Sequence, residues 1–208
     1  MAQFDRSKPK FKQQPTVLVI CEDTKSGKRY LEDASLHFRV KVQVEIMHCG
    51  KTDPKGIVAE AINRQGKFDR VFCAIDRDTH KNFDEAQALV KTSKKVELIV
   101  SYPCFEFWLL LHFGYCRKPY AAAGKYSPAD LLIKELQTHE CLQDYDKGKD
   151  RNIFELMLKN GFAEARRVAP KVLAEAIASG DMNPSTRLHE LLDFFEELSQ
   201  PQPIKSAK

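Results

Sequence analysis

Two carboxylates two positions apart, Asp76 and Asp78, close the stretch 69–78, Asp-Arg-Val-Phe-Cys-Ala-Ile-Asp-Arg-Asp. Residues 71–75 form a short, continuous apolar run, the pattern of a strand covered on both faces. The run stops at Asp76. Two like charges about 4 Å apart repel by roughly 4 kcal/mol at an effective dielectric of about 20, so paired carboxylates at a strand end call for a cation. Oxygen-only donors suit Mg²⁺ or Mn²⁺, and open α/β sheets bind ligands outside the carboxyl ends of their strands. The plainer reading is a polar loop that caps the next helix, and the spacing alone leaves both open.

A second acidic pair, Glu22 and Asp23, follows the β-branched run 16–21, the expected first strand. If these two strands are neighbours in a parallel sheet, Glu22 meets Asp76 and Asp78. Glu106 is a third candidate, because it lies inside the almost wholly apolar stretch 105–113. A buried charge is rarely left alone, so Glu106 is either a further acidic group of the site or the partner of a buried Arg, Lys or Tyr. Lys25, Lys28, Arg29 and Arg77 stand close in sequence to these acids and are candidate substrate-binding residues for an anionic group. Lys147, Lys149 and Arg151 lie in a charged loop that is either solvated or in contact with a phosphate.

The elements that must position these groups alternate. A strand at 16–21 leads to a helix at 26–38 with Ser26 as its N-cap, then an alternating edge strand at 39–47. A helix opened by Pro54 is closed by Gly66, and the Asp76 strand follows. Next come a helix at 82–94, a strand at 96–100 and a buried helix at 105–113. Beyond a loop at 114–127, helices are expected at 128–137, 152–159, 162–178 and 185–198. Pro170 should kink or break the third of these, and Asn183, Ser185 and Thr186 should cap the last. This order predicts an α/β protein with a mostly parallel sheet flanked by helices. The implied division is a basic disordered tail at 1–15, an α/β core at 16–113, a helical extension packed on it at 114–198, and a flexible tail at 199–208.

Composition narrows the class. With 208 residues, 43% hydrophobic and 30% charged, the chain is an ordinary soluble globular protein. Its 33 basic residues against 29 acidic ones are too evenly balanced for global charge to argue a nucleic-acid partner. No apolar run is long enough for a membrane span, no secretory signal opens the chain, and the six cysteines hold no Cys-x-x-Cys. A reduced, cytoplasmic protein is expected. Glycine-rich nucleotide loops, a Gly-x-Ser-x-Gly elbow and His-Glu-x-x-His are all absent. His112, Cys116, His139 and Cys141 have no regular zinc spacing. The Asp76 motif follows the third strand and has His80 in fifth place, unlike the dehalogenase-type phosphatases. The chain is also small for an Asp-x-Asp glycosyltransferase.

A lone Glu with Asp-x-Asp on a parallel sheet resembles the topoisomerase-primase (Toprim) catalytic domain. More of the chain resembles the RloB-like family: Val19-Ile20-Cys21-Glu22, the run 72–78, the block 101–113 (Ser-Tyr-Pro-Cys-Phe-Glu-Phe-Trp-Leu-Leu-Leu-His-Phe) and Asn183-Pro184-Ser185-Thr186. The resemblance covers about residues 16 to 198. Two positions depart from it: Asp23 stands where Gly is usual, and Tyr102 where Asn is usual. The resemblance implies a Toprim-like core in which Asp76 and Asp78 bind Mg²⁺ (or Mn²⁺), and Glu22 binds metal or transfers protons. It further implies cleavage of DNA or RNA, tRNA among the substrates, in bacterial antiviral and abortive-infection defence, beside an AAA or ABC-type ATPase encoded nearby. The rival is a non-catalytic interaction module that regulates such an ATPase.

Overall fold

The computed structural model describes residues 13–77, 80–148 and 152–201. The expected tails at 1–15 and 199–208 therefore fall largely outside the described residues, as do Asp78, Lys149 and Arg151. Strand β1 (Val17–Cys21) is buried along its whole length, as its β-branched run requires of a strand covered on both faces. It leads into helix α1 (Ser26–His37), edge strand β2 (Val44–Met47), helix α2 (Pro54–Arg64) and strand β3 (Arg70–Asp76). Helix α3 (Phe83–Val90), strand β4 (Val96–Tyr102) and the short helix α4 (Glu106–Leu110) follow. Helices α5 (Pro128–Leu136), α6 (Ile153–Lys159) and α7 (Phe162–Ser179), strand β5 (Ser185–Thr186) and helix α8 (Leu188–Ser199) complete the order.

The sheet runs β2-β1-β3-β4-β5. The first four strands are parallel and β5 is antiparallel to β4. The expected class is observed: an α/β fold with a mostly parallel sheet flanked by helices and a helical C-terminal region. Alternate residues of each strand feed two cores. Leu18, Ile20, Val71, Cys73, Ile75, Leu98 and Val100 pack with Ile57, Val58 and Ala61 of α2 and Phe83 and Ala86 of α3. On the other face Val17, Val19, Phe72 and Ile99 join α1, α4, α7 and α8 in the larger core around Trp108. After β1 the chain moves to one side to form β2, then returns past β1 to form β3. The carboxyl ends of β1 and β3 are thus the point where strand order reverses, where such sheets open a crevice.

Four local expectations are corrected. The alternation at 39–47 is a strand only from Val44; Val40 turns into the larger core, while Val42 is 93% exposed. The backbone bonds from Val40 to the Ser35 carbonyl and from Gln43 to the Val40 carbonyl, both 2.9 Å, make a turn of that segment. Ser26 is the first helical residue rather than a cap, and no side chain caps α1. Of the kink or break expected at Pro170, the break does not occur: helix α7 runs continuously through it, with Pro170 on the exposed side, where water can serve the backbone group a proline leaves unpaired. Ser185 and Thr186 form β5 before the last helix begins: the Thr186 Oγ1 lies 2.9 Å from the buried Ser101 Oγ and accepts from the Leu188 amide at 3.2 Å.

Helix α7 meets the turn after α4 so closely that its start must be glycine. Gly161 has φ +96°, and a Cβ there would lie 2.0 Å from the His112 carbonyl oxygen.

Candidate functional site

Glu22 is the first residue after β1, and its amide continues the ladder to the Ala74 carbonyl at 3.1 Å. Asp76 ends the neighbouring β3. Because Cys21 is in register with Ala74, the two acids arrive together, and the Asp76 amide donates to Glu22 Oε2 at 2.8 Å. Glu22 Oε1 lies 2.9 Å from His80 Nε2. At the rim, His48 Nδ1 is 3.1 Å from the Cys21 carbonyl oxygen, beyond the end of β2.

Asp76 faces the start of α4 and a loop from the C-terminal region. Its Oδ1 accepts from the Phe105 amide at 2.8 Å. Its Oδ2 is 3.5 Å from Lys147 Nζ, and the same ammonium is 3.7 Å from Glu106 Oε2. Glu106 is wholly buried. Its Oε1 lies 3.1 Å from the Tyr145 hydroxyl, which is 3.2 Å from Ser26 Oγ. Its Oε2 has no hydrogen-bond partner among the described residues. Among the alternatives that sequence left for Glu106, the structure supplies both a tyrosine and a lysine.

The electrostatics follow from this crowding. Burial pushes the Glu22 carboxyl up, against the Asp76 amide and His80, which pull it down. Asp76 is raised well above the ordinary carboxylate range, first by burial; Lys147 opposes the shift while Glu106 and Glu22 add to it. Burial acts to lower Lys147, but Glu106 and Asp76 outweigh it and the lysine is held more firmly protonated than usual.

The other candidates separate. Lys25 is exposed and its stem lies against Gly148. Lys28 is paired with Glu32 one turn along α1, and Arg29 is half-buried on the same helix. Arg77 turns towards α3: its guanidinium sits 4.5 Å from the centre of the Phe83 ring and donates to the His80 carbonyl at 3.3 Å. Sequence reasoning had no role for His80, His48 or Tyr145. Tyr145 is 119 positions from Ser26, and no local pattern announces such a contact.

Mg²⁺ or Mn²⁺ can be tested against these donors. The chemistry fits a hard cation, because carboxylate oxygens converge and one of them, Glu106 Oε2, is buried without a hydrogen-bond donor among the described residues. The assembled geometry is closed, since Lys147 stands between Asp76 and Glu106. Among the described residues no three His, Cys, Asp or Glu side chains are grouped to hold a metal. Among the described residues, Asp76 and Glu22 are the acids at the strand ends that could face such an ion.

Among the described residues, no helix is long and apolar enough to cross a membrane. Neither a curated protein nor a solved structure matches this chain. The family model of RloB-like proteins matches residues 17–195, from the first residue of β1 into α8. The match takes in both acid-bearing strands, the Glu106 helix and the loop that carries Lys147, and the chain belongs to the RloB-like family.

Proposed function

We propose that this RloB-like protein is a Mg²⁺-dependent nuclease with a Toprim-like site, cleaving phosphodiester bonds of DNA or RNA in bacterial antiviral defence. The observation that carries the reading is the meeting of Glu22 and Asp76 at the carboxyl ends of adjacent parallel strands, joined by a 2.8 Å hydrogen bond. Asp76, Glu22 and Asp78 would hold the metal. When bound, the ion polarises a phosphoryl oxygen and stabilises charge on the leaving oxygen. Glu22, through its 2.9 Å contact with His80, would also take up or return a proton. Lys25 and Lys147 would supply positive charge to a phosphate approaching the strand ends.

One observation favours the rival reading. Lys147 already pairs with both the Asp76 and the Glu106 carboxyl groups, as an idle acidic site kept in an interaction module for a partner ATPase would require. Cleavage assays separate the two. Purified protein is incubated with DNA, total RNA and tRNA in Mg²⁺, in Mn²⁺ and in EDTA, alone and with its ATPase partner, beside Asp76→Asn. Metal-dependent cleavage that the substitution abolishes supports the nuclease. No cleavage under any of these conditions, with ATPase binding intact, gives the function to the interaction module.

A further inference from the structure

Lys147 reaches the carboxylates from a loop fixed behind it. Tyr145, only 1% exposed, anchors that loop in the larger core, with its hydroxyl 3.1 Å from Glu106 Oε1. On the other side Gly148 backs onto Lys25 at φ +101°, where a Cβ would lie 2.9 Å from Lys25 Cδ. Between these two fixed points the Lys147 ammonium stands 3.5 Å from Asp76 Oδ2 and 3.7 Å from Glu106 Oε2. Both separations exceed direct hydrogen-bond distances, so these two contacts hold the ammonium by charge rather than by directed bonds. Its side chain is 32% exposed and so already in part open to solvent. Glu106, in contrast, is fully buried, and its Oε2 has no hydrogen-bond donor among the described residues.

We propose that Lys147 is the resident counter-ion of the Asp76–Glu106 pair, and that it and a divalent cation exclude one another at that position. The inference rests on the metal-dependent reading above and adds how the site is regulated. Without metal, the lysine offsets the negative charge that the two inward-facing carboxyl groups share, which would be costly to bury unpaired. A divalent cation beside Asp76 would stand against the ammonium with like charge, so its binding requires the lysine to swing outward. Metal affinity is therefore set by competition with a tethered cation. A phosphodiester arriving at the strand ends would draw Lys147 out and favour metal entry, coupling substrate to metal.

The test is calorimetric titration of Mn²⁺ into the full chain and its Lys147→Met variant, with thermal melts of both. The variant should bind Mn²⁺ more tightly by roughly ten-fold or more, melt lower than wild type without metal, and gain more from added Mn²⁺. Equal affinity in the two proteins would overturn the exclusion while leaving the metal-dependent nuclease standing. Absence of Mn²⁺ binding in both would remove the nuclease reading and this inference together. If Lys147→Met does not hold its fold without metal, Mn²⁺ followed by circular dichroism should restore it. A variant that stays unfolded in saturating Mn²⁺ would equally overturn the exclusion.

Discussion

The Asp76 amide donates to Glu22 Oε2 at 2.8 Å, so the last peptide of β3 holds the first side chain beyond β1. Glu22→Gln keeps an acceptor for that bond and Glu22→Ala removes it. The Gln variant should fold like wild type and lose cleavage, because it cannot transfer a proton. The Ala variant should also lose stability, by about 1–3 kcal/mol for a half-buried amide left unpaired. Urea melts read beside a cleavage assay check both. Full activity in Glu22→Gln would remove Glu22 from the chemistry.

Asp76→Asn addresses metal and stability together. Half of the acidic pair loses its charge, so Mg²⁺ should bind far more weakly and cleavage should fall by orders of magnitude. The fold should hold and melt at the same temperature or higher, because burial and the neighbouring Glu106 and Glu22 already disfavour the Asp76 charge. Melts with and without Mg²⁺ report this, and a marked loss of stability would contradict it.

The same carboxyl sets a direction with pH. Its pKa in the folded protein lies well above the ordinary value of 3.8, so between those two values the folded state holds the proton longer than the unfolded chain does. Its contribution to stability is greatest below pH 3.8 and is lost as pH rises towards the folded-state pKa. Wild type should therefore lose more stability than Asp76→Asn on going from pH 4 towards neutrality. Parallel slopes in urea melts would show that Asp76 titrates normally.

His112 acts in the opposite sense. Burial lowers it from 6.5 to about 4, in contact with the Trp108 ring. Its stabilising share is complete above pH 6.5 and is lost as pH falls through the folded-state value near 4. By pH 5 the loss attributable to this side chain should be about 2 kcal/mol. His112→Phe, measured at both pH values, should be flatter by that amount. An unchanged acid response would show that His112 protonates without penalty.

Ser101 and Thr186 tie the C-terminal region to the sheet through a buried contact at 2.9 Å. Thr186→Val should cost about 1–3 kcal/mol, since it strands the Ser101 hydroxyl and the Leu188 amide. Chemical denaturation measures it. A neutral substitution would show that β5 is held by packing alone.

Buried strands and helical faces were legible in the sequence because continuous β-branched runs and apolar spacing are local signals. That is why β1, β3, α2, α5 and α7 fall close to where the residues put them, and why Glu22 and Asp76 could be nominated at strand ends. Other features needed the folded chain. Residues 39–47 alternate as a strand does, yet turn hydrogen bonds take Val40 into the core and leave Val42 in water. Ser185 and Thr186 look like caps, but the edge of β4 makes them a strand. Strand order decided that Glu22 and Asp76 meet, for nothing in either segment states that β1 and β3 are neighbours. Glu106 was conspicuous as a charge among apolar residues, whereas its partners Tyr145 and Lys147 come from a loop some 40 positions away. Sequence could require that a buried carboxylate be compensated; only the tertiary structure chose the lysine, because compensation is a property of distance in space.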